Sequence, residues 1–315
     1  MSWPADSDAA PDLLEALRTA HVDLAQTLSG FEPVTVACDP ADAVEVSLRC
    51  GNGIQVLPLA GLAGTIRDAG FGFAAAPDQG LALVRRAAAR AAEVALVQGL
   101  AGHLKLSDFV TPLGPGPGIE TDGAGTVMLT EETMASQAAA RGLDPAGLEP
   151  LIRAATGATA VIRLGQGCRG DPTGGAAALV ARFVRPGVVA AMVTDDPGDG
   201  NFAPLQDNLD RLTKARDAAG HGLEVIPIRQ PARQDWKGAR LPLSYLDFVF
   251  ANGAIVLPEY EDSADQEASR ILRRLYPERT VIQLPAAELA RAGANLRRIA
   301  QPQPVAASLP GHDTV

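Results

Sequence analysis

Short β-rich apolar runs alternate with helix-length segments along nearly the whole chain, and no other feature limits the possible folds as much. PVTVAC (Pro33–Cys38), IQVLPL (Ile54–Leu59), Gly70–Ala76, Ala158–Leu164, GVVAAMVT (Gly187–Thr194), 223–228 and 280–284 each have the length and composition of one strand. Between them the period changes. Leu13, Leu17, Leu24 and Leu28 make a stripe that starts behind Pro11 and stops at Gly30, which predicts a helix; His21 lies on the same stripe. Further helices are expected over Asp78–Ala101, with Leu81, Val84, Ala88, Ala91 and Ala95 inward, and over 145–155, 204–219, 264–275 and 286–292. Residues 39–53, containing Asp39, Pro40 and Asp42, and residues 102–118 read as connections. Asn252-Gly253 between two β-rich runs is a hairpin signal. Such an alternation specifies a mixed α/β fold and does not by itself say how the units are arranged.

The stretch Asp171–Pro186, DPTGGAAALVARFVRP, has the outline of a chemical motif: Asp-x-Thr-x-Gly, six small or apolar residues, then Arg-Phe-Val-Arg-Pro-Gly. It resembles the D-x-T-D-G-H-x-D-N segment and following F-V-R-P-G strand of the agmatine deiminase and bacterial peptidyl-arginine deiminase family of the pentein superfamily. The resemblance extends along the chain. Leu57-Pro58-Leu59 followed by Arg67-Asp68-Ala69-Gly70 is similar to the family's L-P-L strand and R-D-x-G loop. Asp122–Glu132 is similar to D-G-x-G-T-L-L-T-T-E-E; Asp195-Asp196-Pro197, Leu243–Phe248 and Ala251–Pro258 match further family segments. Ala292–Pro304 aligns with the segment that carries the family's nucleophilic cysteine.

The resemblance implies a five-bladed ββαβ pentein propeller, an α/β barrel, here shortened at its N-terminus and spanning residues 11–305 as a single domain. Residues 1–10 and 306–315 are then expected to be flexible ends. In an ungapped register the family's general acid/base His falls on Ala176 and its guanidinium-binding Asp on Ala178. Its site Glu falls on Pro115, and its nucleophilic Cys on Arg298, preceded by Arg297. Deimination needs a thiolate, a proton-transferring imidazole and carboxylates for the planar cation, and none of these four side chains supplies them. Asp68 is retained, so an internal pair between Arg298 or Arg297 and Asp68 or Asp171 is expected in the former pocket. Cys168, in the Gly-rich loop before the motif, is the alternative thiol; its imidazole partner would have to be His21, His103, His221 or His312.

On this register the expected function is that of a catalytically defective homologue, a binding or assembly protein and not an enzyme. The alternative is an active guanidino-group hydrolase of the agmatine deiminase type, in putrescine and polyamine metabolism, using residues the register does not identify. Expected partners are a small guanidino or anionic ligand, an active paralogue or a second copy in a homodimer. Lys+Arg 27 against Asp+Glu 37, a formal charge of −10, is the wrong sign for nucleic acid or an anionic membrane. No run approaches the roughly 20 apolar residues of a membrane span. Cys38, Cys50 and Cys168 have no metal-ligand spacing, so no metal or cofactor is expected, and an odd number of thiols suggests a reducing cytoplasm.

Overall fold

The computed structural model describes residues 1–6, 8–59, 66–76, 80–87, 91–111, 113 and 118–304, with the backbone alone for Asp68, Ala69, Ala75, Ala76 and Ala92. The chain divides into two compact units. One runs from Met1 to Gly116 and includes the C-terminal residues from Arg297; the other is Pro117–Leu296.

The first unit opens with α1 (Pro11–Ser29), whose Leu13, Leu17, Leu24 and Leu28 stripe is buried as its spacing requires. β1 (Val34–Cys38) and β2 (Ile54–Pro58) pair in parallel from Val34 opposite Ile54 to Cys38 opposite Pro58. A parallel pair needs a crossover, which here is a helix, α2 (Ala43–Cys50), in a segment expected to be a connection. Val46 and Cys50 face inward one turn apart, while Val44 and Leu48 are exposed. Residues 1–3 lie along β1: Trp3 N donates to Ala37 O at 2.7 Å and Ala37 N to Met1 O at 2.9 Å. Trp3 is buried, with the Arg18 guanidinium 5.6 Å from its ring centroid.

Next come β3 (Phe71–Ala76), β4 (Gly80–Arg86), α3 (Ala91–Leu104) and β5 (Ser107–Thr111). β3 and β4 are antiparallel, β4 and β5 parallel. The helix expected from Asp78 begins only at Ala91. Leu81 and Val84 fit a helical stripe, but the run Leu81–Arg85 pairs residue for residue with β3. Leu83 is fully buried against Phe71, Leu96 and Val97, where each large apolar side chain contributes about 1.5–3 kcal/mol.

The second unit repeats that ββαβ order. β6 (Glu120–Thr121), β7 (Thr126–Thr130) and β8 (Ala160–Leu164) form one sheet, with α4 (Glu131–Ala139) and α5 (Pro145–Thr156) in its crossover. After a helical turn, α6 (Ala177–Val180), β9 (Ala181–Arg185) and β10 (Val188–Val193) make a hairpin, and α7 (Phe202–Lys214) leads to β11 (Glu224–Arg229). A two-stranded hairpin, β12 (Asp235–Trp236) and β13 (Ala239–Arg240), intervenes. β14 (Val249–Ala251) and β15 (Ala254–Glu259) turn at Asn252-Gly253, with Gly253 at φ 74°, as the sequence signals. α8 (Asp265–Leu275), β16 (Thr280–Pro285), α9 (Ala287–Arg291) and α10 (Leu296–Ile299) follow.

The expected five-bladed propeller or closed α/β barrel is therefore corrected. The described strands form six separate sheets of two or three strands, and no sheet closes on itself. Inter-strand hydrogen bonds stay within each sheet of two or three strands, so every sheet ends on an edge strand, which closure would abolish. What holds is the mixed α/β class with a repeated ββαβ order. No described helix is long and apolar enough to cross a membrane.

Candidate functional site

The loop between β8 and α6, residues 165–176, carries both Cys168 and the Asp-x-Thr-x-Gly motif. Asn208 on α7 fixes its start: Gly165 N donates to Asn208 Oδ1 at 2.7 Å, and Asn208 Nδ2 donates to Gln166 O at 2.8 Å. Gly167 N donates to Glu132 Oε2 at 2.8 Å. A Cβ on Gly167 would lie 2.4 Å from Gly175 Cα, and one on Gly175, at φ 91°, would lie 2.4 Å from Glu132 Oε2, so glycine is required at both positions.

Asp171 is the organising carboxylate of this loop. Its Oδ1 accepts from Thr173 N at 2.9 Å and from the Thr173 hydroxyl at 2.7 Å; its Oδ2 accepts from Gly175 N at 3.1 Å and Ala176 N at 2.7 Å. Thr130 and Thr133 hydroxyls then donate to Gly175 O at 2.6 and 3.0 Å. These bonds make Asp171 the cap of a turn. Ala176 and Ala178 follow it into the core, 6% and 3% exposed.

Cys168 is 6% exposed, and burial pushes its thiol up to about 12, the neighbouring Arg240 charge offsetting only part of that. Its Sγ donates to Arg169 O and accepts from Asn201 Nδ2, each at 3.7 Å; no histidine is among its hydrogen-bond partners in the described residues. Asn201 also accepts from Arg169 N at 2.9 Å and donates to Gln230 Oε1 at 2.9 Å. Gln230 Nε2 donates to Asp199 Oδ2 at 2.9 Å, and Arg240 clamps Asp199 through two bonds of 2.7 and 3.0 Å. Burial alone would raise the Asp199 carboxyl, but the Arg240 bonds and the Asn201 N–H reverse that and hold it below the usual carboxylate range. A cavity of ≈ 480 Å³ opens beside Asp199 and Gln230, with Asp195, Asp196, Asp262, Arg229 and Arg233 also on its walls.

The structure describes only part of the other expected site residues. Pro115 and His312 lie outside the described residues, as does the side chain of Asp68. Arg67, beside Asp68, donates from Nε to Ala300 O at 2.9 Å, so the Arg-Asp-x-Gly segment and the C-terminal motif do meet. Arg297 and Arg298 are half-buried in α10. Both Asp171 oxygens accept hydrogen bonds within their own loop. His21 is buried with Nδ1 2.8 Å from Leu17 O, His103 lies 3.4 Å from Gln55, and His221 is 3.7 Å from Asp217. No group of three or more His, Cys, Asp or Glu side chains among the described residues is placed to hold a metal ion.

Asp199, Asn201, Gln230 and Arg240 were not singled out from the sequence. Asp199 stands two residues past the Asp195-Asp196-Pro197 match, but Arg240 joins it from 41 residues away through the short β12–β13 hairpin. No periodicity announces such a contact.

The model of the Porphyromonas-type peptidyl-arginine deiminase family matches residues 1–304. A Streptomyces avermitilis protein is 32% identical over 96% of this chain and 93% of its own length. The agmatine deiminase of Pseudomonas putida is 29% identical over 96% of this chain and 92% of its own. The solved structure of the agmatine deiminase of Enterococcus faecalis catalysing its reaction superposes with a TM-score of 0.85 at 22% identity, covering 97% of this chain and 92% of that one, which shows a shared fold. Near-complete matches to relatives named as deiminases overturn the expectation of a catalytically defective, non-enzymatic homologue. That expectation rested on four positions assigned by an ungapped register of short motifs, and such a register does not fix which side chains meet in space. The chain belongs to the Porphyromonas-type peptidyl-arginine deiminase family.

Proposed function

We propose that this protein is a hydrolase acting on the guanidino group of a linear amidine of the agmatine or peptidyl-arginine type. Water replaces one guanidino nitrogen, ammonia leaves and a ureido product remains. The observation that carries this reading is the match over nearly the full length of both partners to an agmatine deiminase, within a family whose model spans residues 1–304. The side chains that perform the reaction are then other than the assigned Pro115, Ala176, Ala178 and Arg298. Cys168 packs and does not attack, because a thiol raised to about 12 is protonated at neutral pH. Three free, buried thiols fit a reducing, cytoplasmic setting.

The test is direct. Purified protein incubated with agmatine, and separately with a peptidyl-arginine, should release ammonia and the ureido product in equal amounts, and Cys168→Ser should retain that turnover. A folded protein that forms neither product from either substrate removes the reading. Turnover lost in a folded Cys168→Ser variant removes the packing role of the thiol and leaves the hydrolase.

A further inference from the structure

We propose that Asn52, in the loop between α2 and β2, is a self-modifying site: its side chain cyclises onto the Gly53 backbone nitrogen and the ring opens to isoaspartate. Five asparagines occur in the chain, and only Asn52 and Asn252 precede glycine; Asn201, Asn208 and Asn295 precede Phe202, Leu209 and Leu296. Ring closure needs the next backbone nitrogen to reach Cγ, and a following glycine puts no side chain in the way.

The step balances with water as the sole co-reactant. The Gly53 nitrogen loses its proton to solvent and bonds to Asn52 Cγ; the Cγ–Nδ2 bond breaks, and the amide nitrogen takes up a proton and leaves as ammonia. Water then opens the five-membered imide. Attack at Cγ gives aspartate, whereas attack at the main-chain carbonyl gives isoaspartate, in which the chain runs on through Cγ. One water is consumed, one ammonia is released, and nothing is oxidised or reduced.

The fold separates the two Asn-Gly pairs. Both are exposed, and neither glycine has an atom within 4 Å of where a Cβ would stand. Closure requires rotation about the Asn Cα–C bond, so the bonds that hold the flanking peptides decide the rate. Asn252 and Gly253 are the two residues of the β14–β15 turn, shut by the Ala251–Ala254 pair. Thr280 N donates to Gly253 O at 2.8 Å and Arg279 Nη1 to Ala251 O at 2.5 Å, so rotation there breaks the frame of the hairpin. Asn52 has no such frame. Neither its amide nor the Gly53 N–H has a hydrogen-bond partner among the described residues, and Gly51 and Gly53, at φ 77° and 94°, flank it as hinges.

The ends of this loop are pinned although its middle is free. Gly51 N donates to Ser47 O at 3.1 Å, Gln26 Nε2 to Cys50 O at 3.3 Å, and Ile54 opens β2 opposite Val34. Isoaspartate adds one methylene to the main chain between these anchors. It also sets a carboxylate just past the C-terminus of α2, where the helix dipole disfavours negative charge. Conversion therefore loosens the crossover that joins α2 to β2.

Folded protein held in mildly alkaline buffer should gain one mass unit in the Asn52 peptide at least ten times faster than in the Asn252 peptide, with isoaspartate identified by electron-transfer fragmentation. In urea, where the hairpin is gone, the two rates should converge. The converted fraction, separated by its extra negative charge, should unfold at a lower urea concentration than Asn52→Asp, which carries the charge without the longer chain. An Asn52 that stays an amide, or an Asn252 that converts as fast, overturns the proposal. So does a preference for Asn52 that persists in urea, or a converted fraction that unfolds together with Asn52→Asp.

Discussion

His21 shows how much one buried ring can govern behaviour with pH. It sits on the inward stripe of α1, and burial drops its pKa from 6.5 to about 4, its bond to Leu17 O recovering only part of that. The folded state therefore favours the neutral ring. Above pH 6.5 neither state is charged and stability is complete; as pH falls below 6.5 the unfolded chain binds a proton that the folded one refuses, until the folded ring also titrates near 4. The loss amounts to about 3 kcal/mol from this group alone, readable as a fall in the urea midpoint between pH 7.5 and 4.5. Asp199 offers a second residue-scale expectation. Asp199→Ala would leave Arg240, whose side chain is only 13% exposed, without its counter-charge, at a cost of about 3–5 kcal/mol in denaturant melts. Asp199→Asn should cost less, since it keeps the shape and one acceptor for the guanidinium.

Among the elements, the central strands of the three-stranded sheets of the second unit, β7, β10 and β15, should be the last to open. Every residue of β7 is buried, as are the first five of both β10 and β15, and each of these strands is paired on both sides. Their amides should exchange with deuterium far more slowly than those of the two-residue strands β12 and β13, which hydrogen-exchange mass spectrometry resolves. Legibility in the sequence follows the same physics. α1 could be read because its leucines repeat at helical spacing and one face alone is buried, and the β14–β15 turn because Asn252-Gly253 suits few other structures. β4 was misread because Leu81, Val84 and Ala88 also satisfy a helical period, and only pairing with β3 chooses between the two. α2 was missed because Val44 and Leu48, which weaken its amphipathic signal, point outward. The Asp171 loop was found as a motif, but its role as a turn cap depends on N–H groups whose directions no residue pattern encodes. The Asp199–Arg240 clamp was invisible for a similar reason: it is a contact made by tertiary folding between two polar residues in unrelated segments.

For the whole molecule, a formal charge of −10 and a pI near 4.9 set a solubility minimum in mildly acidic solution. Turbidity against pH should peak near 4.9, inside the window where His21 is also eroding stability, so precipitation and unfolding should be hard to separate there and distinct above pH 6.5. The bond from Arg67 to Ala300 O adds a consequence in time. A residue near position 300 helps complete a unit that begins at Met1, so the ribosome must finish the intervening Pro117–Leu296 body before the earlier-made one receives its last piece. During synthesis the first hundred residues wait, unfinished, for a segment translated almost two hundred codons later.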